Sequence, residues 1–278
     1  MTNEQLINIG VVVLLAAGLW FWLSTSEGDV FVDPLNMKRD RVSLSVTEQI
    51  NQGRTLAPQF EAELGGPLRG VPKDRVSQIG RLLLERLQNL EQQIQAQTGQ
   101  DPKWTVHPFR FNVLSSEEIN AFALPDGSIY ITAGLLNQME SDDQVAGILG
   151  HELGHVVLRH TARAFESAAK GDILLWALGN LVSSELTNDI ASGLNILFQL
   201  SFSRDQESKA DAFGYVLTCA SNFDPTGLKE VFELFQQLDP GTTPEFLRTH
   251  PIAGRRIDQL GNLTCEFPIS SALRLAAN

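Results

Sequence analysis

Apolar residues recur through 76–94 at steps of three and four: Val76, Ile79, Leu83, Leu87, Leu90 and Ile94. That period predicts a long amphipathic helix whose Gln-rich end, 92–100, stays in solvent. Before it, 46–64 reads as a short helix interrupted near Gly53 and Pro58 and ended by Gly65, Gly66 and Pro67. The period changes after Trp104. Residues 104–113 alternate imperfectly and predict a strand. Residues 119–124 and 128–132 flank Pro125-Asp126-Gly127, a turn signature, and predict a hairpin or strand pair at a sheet edge. Such an edge can hold an extended peptide through backbone hydrogen bonds, without reading its side chains.

From Ser141 the helical period returns and runs, without proline, to about Phe165. Ser141 and Gln144 form a capping-box signature, and Asp142 and Asp143 put negative charge where the helix dipole favours it. Val145, Ile148, Leu149, Val156 and Val157 supply apolar faces. Gly147, Gly150 and Gly154 each cost about 1 kcal/mol in a helix relative to Ala. They fall on one stripe, which predicts a neighbour packed too close for side chains. Residues 173–182 are apolar but too few to span a bilayer, so they predict a core or membrane-surface helix. Helix is expected again over 190–202 and 227–238, with a loop at Pro240, Gly241 and Pro244. Pro251 suits a helix's first turn, placing His250 at or near a helix N-terminus.

The apolar stretch 6–23 (LINIGVVVLLAAGLWFWL) carries no charge and ends in Trp20, Phe21 and Trp22. It is just long enough to cross a bilayer, with its aromatic residues at one interface. The rival is a cleaved signal peptide, but Met1 to Gln5 lack the usual basic residues. The organisation expected is an anchor at 1–23, a polar linker at 24–40 and one folded domain at 41–278. The net charge of −12 over 278 residues argues against a nucleic-acid partner. Cys219 and Cys265 are either one disulfide or two buried thiols.

Chemistry enters with His151-Glu152-Leu153-Gly154-His155. Residues four apart share a helix face, so His151 and His155 can both bind one Zn²⁺. Glu152, about 100° round the helix, is placed to take a proton from an attacking water. A zinc peptidase needs a third protein ligand and leaves the fourth position open. Downstream, Glu207 and Asp211 lie four apart in SRDQESKADAFG. Glu207 is a candidate ligand, and Asp211 can accept a ring N–H from a ligating histidine. On its own this run reads more readily as a solvated charged helix, since such runs usually are. His160 lies five residues after His155, about 140° round a continuous helix, which predicts a helix-end or surface histidine.

Three separated motifs, NAFALPDGSIYITAGLL from Asn120, HELGH from His151 and SRDQESKADAFG from Ser203, carry a family resemblance. A weaker fourth is Thr249-His250-Pro251 followed by Arg256. The chain resembles the membrane-linked zinc endopeptidases that include bacterial HtpX, the CAAX prenyl proteases and their periplasmic relatives. The resemblance implies His151, His155 and Glu207 as ligands of one zinc ion per chain, and Glu152 as general base. It implies substrate-backbone binding by Asn120, Ala121 and Phe122. The fold implied is α+β, mainly α: a gluzincin whose small sheet sets an edge strand beside the HExxH helix. HtpX and the prenyl proteases have several membrane spans. This chain has one at most, and so looks more like the periplasmic branch carried on a tether.

The resulting expectation is a membrane-anchored zinc metalloendopeptidase with its catalytic domain extracytoplasmic. Its partners are protein or peptide substrates and, through the anchor, membrane lipid; its setting is membrane or envelope protein quality control. The alternative is a non-catalytic chaperone or adaptor, although binding alone needs no base such as Glu152. His250 is expected at the site, either donating to the developing oxyanion or occupying the open zinc position. Arg256 is expected to bind a substrate carbonyl.

Overall fold

The computed structural model describes residues 28–167, 202–238, 244–251 and 254–265. The expectations for 6–23, 173–182, most of 190–202 and the Pro240–Gly241 loop lie outside these residues. Among the described residues, no helix is long and apolar enough to cross a membrane. The elements in chain order begin with an antiparallel ribbon, β1 (Asp29–Val32) and β2 (Arg39–Val42). Part of the stretch read as a linker is therefore a strand: Phe31 is buried in a cluster with Val42 and Ala162, which docks the ribbon.

Helix α1 (Val46–Glu63) starts from a full capping box, Ser45 with Glu48. It runs unbroken through Gly53 and Pro58, against the expected interruption. A proline inside a helix costs about 3 kcal/mol, but Leu56, Ala57 and Phe60 beside it are buried and offset that loss. Gly53 does not break the helix; a Cβ there would lie 2.5 Å from Asp126. Helix α2 (Val71–Thr98) buries the full stripe from Val76 to Ile94, as its period requires. The following strand, β3 (Arg110–Leu114), is shorter than expected, because Trp104 instead buries itself and donates its indole N–H to Val32 O at 2.6 Å.

A three-stranded sheet has the order β3–β5–β4, with β4 (Ala121–Ala123) antiparallel and β3 parallel to the central β5 (Ser128–Thr132). The expected strand pair around Pro125-Asp126-Gly127 forms, and β4 is an edge. After the short α3 (Ala133–Leu136) comes α4 (Asp142–Val157), capped by Ser141 and carrying the HELGH residues. It packs most extensively on α5 (Arg204–Ala220), then on α6 (Gly227–Gln237), α2 and β4. The last described elements are α7 (Glu245–Thr249) and α8 (Gly254–Gly261). This is the expected α+β architecture, mainly α. The Cys219–Cys265 alternative is decided as a disulfide, tying α5 to the segment after α8.

The glycine stripe has the predicted use. A Cβ at Gly150 would lie 3.2 Å from Gly214 Cα, and one at Gly214 would lie 2.7 Å from His151 N. With no side chain on either residue, the α4 and α5 backbones touch, which brings α5 to the side of α4 that carries His151.

Helix α4 does not run on to Phe165. Leu158 caps it, Arg159 takes a left-handed conformation (φ 59°), and helix resumes over 160–167. A non-glycine residue rarely adopts this backbone. Arg159 is held there by its fully buried side chain, which bonds Asp29 Oδ2 at 2.6 Å, Val157 O at 2.9 Å and Lys103 O at 2.7 Å. Its guanidinium lies 4.8 Å from the centre of the Phe31 ring. The arginine thus closes the C-terminus of α4 and fastens the N-terminal ribbon to it.

Candidate metal centre

Four buried side chains from three parts of the chain converge. His151 and His155 come from one face of α4, Glu207 from the first turn of α5, and His250 from the C-terminal cap of α7. Ser203 and Gln206 form a capping box that starts α5 where Glu207 faces α4. The Nε2 atoms of His151 and His155 are 3.0 Å apart. Glu207 places Oε2 3.6 Å from His151 Nε2 and Oε1 3.5 Å from His155 Nε2. His250 Nδ1 is 3.0 Å from Glu207 Oε1 and 3.3 Å from His151 Nε2. Donors about 2.0–2.2 Å from a tetrahedral zinc ion lie roughly 3.3–3.6 Å from one another. The nitrogen and carboxylate donors fit zinc in chemistry; the separations of 3.0–3.6 Å are near that spacing, and all four donors lie within 4.8 Å of one another.

Around these donors lies a second set of contacts. His151 Nδ1 is 2.9 Å from Asp211 Oδ1. Asp211 accepts two 2.7 Å hydrogen bonds from Arg256, whose Nη1 also lies 2.7 Å from Glu207 Oε2. Arg256 is 3 % exposed and its guanidinium packs over Phe232. Where a substrate carbonyl was expected, the structure sets two carboxylates against this guanidinium. His250 also differs from expectation: it ends α7 rather than starting α8. Pro251 and two further residues separate it from Gly254.

His160 begins the resumed helix, the helix-end position expected, but it is not on the surface. It is 2 % exposed, and its Nδ1 lies 3.3 Å from Nδ1 of His155. The surface placement assumed a continuous helix; the left-handed turn at Arg159 swings the residue back. Phe202 entered the sequence reading only as the end of an expected helix, yet its ring lies 4.0 Å from that of His155 and 5.3 Å from that of His250. Its one sequence signal is its place as the last apolar residue before the Ser203 cap.

Burial governs the electrostatics. It raises Glu152 above the usual carboxylate range, against the opposing pull of His250 and His151. Glu152 Oε1 has no hydrogen-bond partner among the described residues, and lies 3.5 Å from His250 Nε2. Burial, then the neighbouring His151, holds His155 well below the usual histidine value, so the ring is neutral as a metal ligand must be. For His250 burial also disfavours charge, but Glu207 and Glu152 outweigh it and raise its pKa. Burial alone would raise Asp211; the bonds from Arg256 and His151 reverse that and keep it ionised.

The edge strand lies against α4. Thr132 N donates to Asn120 O at 3.0 Å and Leu124 N to Ser128 O at 2.8 Å. An antiparallel ladder alternates, so Phe122 also turns its backbone polar groups to β5, while those of Ala121 and Ala123 face the open side. The Phe122 ring stacks on Tyr130 and packs on Phe60. Asn120 is 2 % exposed and its Oδ1 has no hydrogen-bond partner among the described residues. Phe246 N, in α7, donates to Ile119 O at 3.1 Å, tying the His250 segment to the strand's approach.

A helix-borne histidine pair, a glutamate from a second helix and a buried glutamate beside them define the metallopeptidase class. The chain belongs to peptidase family M48, whose model matches residues 85–264. It is similar to the mitochondrial metalloendopeptidase OMA1 of Arabidopsis thaliana, 35% identical over 144 residues, which cover 52% of this chain and 29% of that protein. The beta-barrel assembly-enhancing protease of Escherichia coli is 31% identical over 168 residues, covering 56% of this chain and 34% of the relative. Metalloprotease YcaL of the same organism is 32% identical over 161 residues, covering 55% and 61%. The chain thus spans about a third of the length of the first two relatives.

Proposed function

We propose that the chain is a zinc-dependent metalloendopeptidase. The observation that carries this reading is the buried Glu152 carboxylate, whose Oε1 accepts no hydrogen bond from the described residues, beside four donors that lie within 4.8 Å of one another. His151, His155 and Glu207 would hold the metal. Zinc there would polarise the scissile carbonyl and make a water more acidic. Glu152 takes a proton from the attacking water and passes it to the leaving amine; its raised pKa suits both steps. Asp211 orients His151, and Arg256 holds Asp211 and Glu207 in place. Ala121 and Ala123 offer backbone N–H and C=O groups to an extended substrate, with Asn120 and Phe122 flanking them. Such pairing requires a chain segment that is not folded. Substrates are accordingly unfolded or misassembled proteins, which suits quality control at a membrane or envelope.

His250 adds a fourth protein donor, whereas a catalytic site keeps one position open. Its Nδ1 is among the metal-facing atoms and its Nε2 is near Glu152, so it holds the resting site closed. In a casein-type assay, chelation should abolish cleavage, zinc should restore it, and His250→Ala should cleave faster than the parent. Cleavage indifferent to chelator would sink the metallopeptidase reading. A slower but zinc-replete His250→Ala would instead make His250 an oxyanion donor, a type of contact worth about 2.7–4 kcal/mol.

Residues 6–23 would anchor the protein, with the domain at 41–278 on the extracytoplasmic side; the uncharged apolar run and the Cys219–Cys265 bridge support this placement. Protease added to spheroplasts should digest the domain. Protection behind an intact inner membrane would reverse the topology.

A further inference from the structure

We propose that His160 is a positioning residue for the metal site: it accepts the Nδ1 proton of His155 and thereby sets that ligand's tautomer and ring orientation. The inference rests on the reading of His155 as a zinc ligand. Nε2 of His155 faces His151 and Glu207, so its lone pair belongs to the metal and its proton to Nδ1. A buried N–H needs an acceptor. The atom facing it is Nδ1 of His160, at 3.3 Å, with the two rings in a T-shaped arrangement. Two protonated Nδ1 atoms could not face each other at that distance. His155 therefore donates, and His160 accepts and carries its own proton on Nε2.

The placement of His160 is built into the fold. The left-handed turn at Arg159 returns the chain toward α4, and the buried bonds of Arg159 to Asp29, Lys103 and Val157 hold that turn. The two α4 ligands consequently have different supports. His151 is backed by the Asp211 carboxylate and His155 by an uncharged imidazole. The imidazole orients its ligand without adding negative charge to a site that already holds Glu152, Glu207 and Asp211.

A purely space-filling His160 would be replaceable by Phe. Zinc affinity of the full chain in detergent, measured by chelator competition, should instead fall about 10–100-fold in His160→Phe, the usual loss for a residue supporting a ligand. His160→Asn, whose carbonyl oxygen can take the place of Nδ1, should stay within about threefold of the parent. The chain has five histidines, so ¹⁵N-histidine labelling can resolve them in the zinc-loaded parent. His160 should show an unprotonated Nδ1 and a protonated Nε2. Parental zinc affinity in a folded His160→Phe, or a proton on His160 Nδ1, would overturn the proposal. Should His160→Phe fail to fold, the tautomer of the unmutated protein decides. A parent that binds no zinc at all would remove the ligand reading and this proposal with it, whereas tight parental zinc with an indifferent His160→Phe would remove only the latter.

Discussion

Glu152→Gln should lose peptide cleavage by about 10²–10⁴-fold while keeping its zinc, because it removes a base and no metal donor. The exchange is close to isosteric, and the carboxylate is 1 % exposed with an Oε1 that no described side chain bonds. Glutamine therefore breaks no protein hydrogen bond at that oxygen and cannot accept the proton. Glu207→Gln makes the contrasting case. Its two oxygens lie 3.5–3.6 Å from the Nε2 atoms of His155 and His151. Losing that charge should lower zinc affinity by more than the roughly 10–100-fold typical of residues that only support a ligand. Zinc per chain at limiting metal, read beside the cleavage rate, separates the roles. Equal zinc retention in both variants would remove Glu207 from the ligand set, and substantial cleavage by Glu152→Gln would remove the base.

Arg256→Met should destabilise the fold by about 3–5 kcal/mol, the usual cost of taking one partner from a buried ion cluster. The guanidinium is 3 % exposed and binds Asp211 twice and Glu207 once, each at 2.7 Å. Methionine fills much of the volume over Phe232 but leaves two carboxylates without their counter-charge. Asp211, held ionised largely by Arg256 and His151, would then be protonated more readily. Its folded pKa is depressed, so its contribution is full above the ordinary carboxylate value and is lost as pH falls below that value through the lowered folded one. The variant should accordingly show a weaker loss of stability on acidification than the parent. Denaturant melts with and without chelator, run near neutral and at acid pH, measure both effects. A loss under about 1 kcal/mol together with a raised KM would return Arg256 to substrate binding.

Several features were legible in the residues because their causes are local. The 3.6-residue period of α2, the Ser141 cap, the turn at Pro125-Asp126-Gly127 and the four-residue spacing of His151 and His155 are each set by neighbours along the chain. The glycine stripe announced a close contact, although not its partner. The approach of Glu207 to the two histidines was readable through its motif, because the family resemblance places a carboxylate donor there.

What escaped the sequence depends on contacts between distant segments. Pro58 reads as a helix breaker until the burial of Leu56 and Phe60 is weighed against it. Arg159 reads as an ordinary helical residue until Asp29, 130 positions earlier, and Lys103 O receive its side chain; those distant contacts hold the turn that carries His160 to His155. Arg256 and His250 share a short motif, yet Asp211 and Glu207 give the first its partners, and α7, tied to Ile119, brings the second to the metal-facing atoms. Sequence period determines which face of a helix is apolar and which residues share it. The meeting of α4 and α5 at Gly150 and Gly214, close enough for a carboxylate to join two imidazoles, is decided by packing alone.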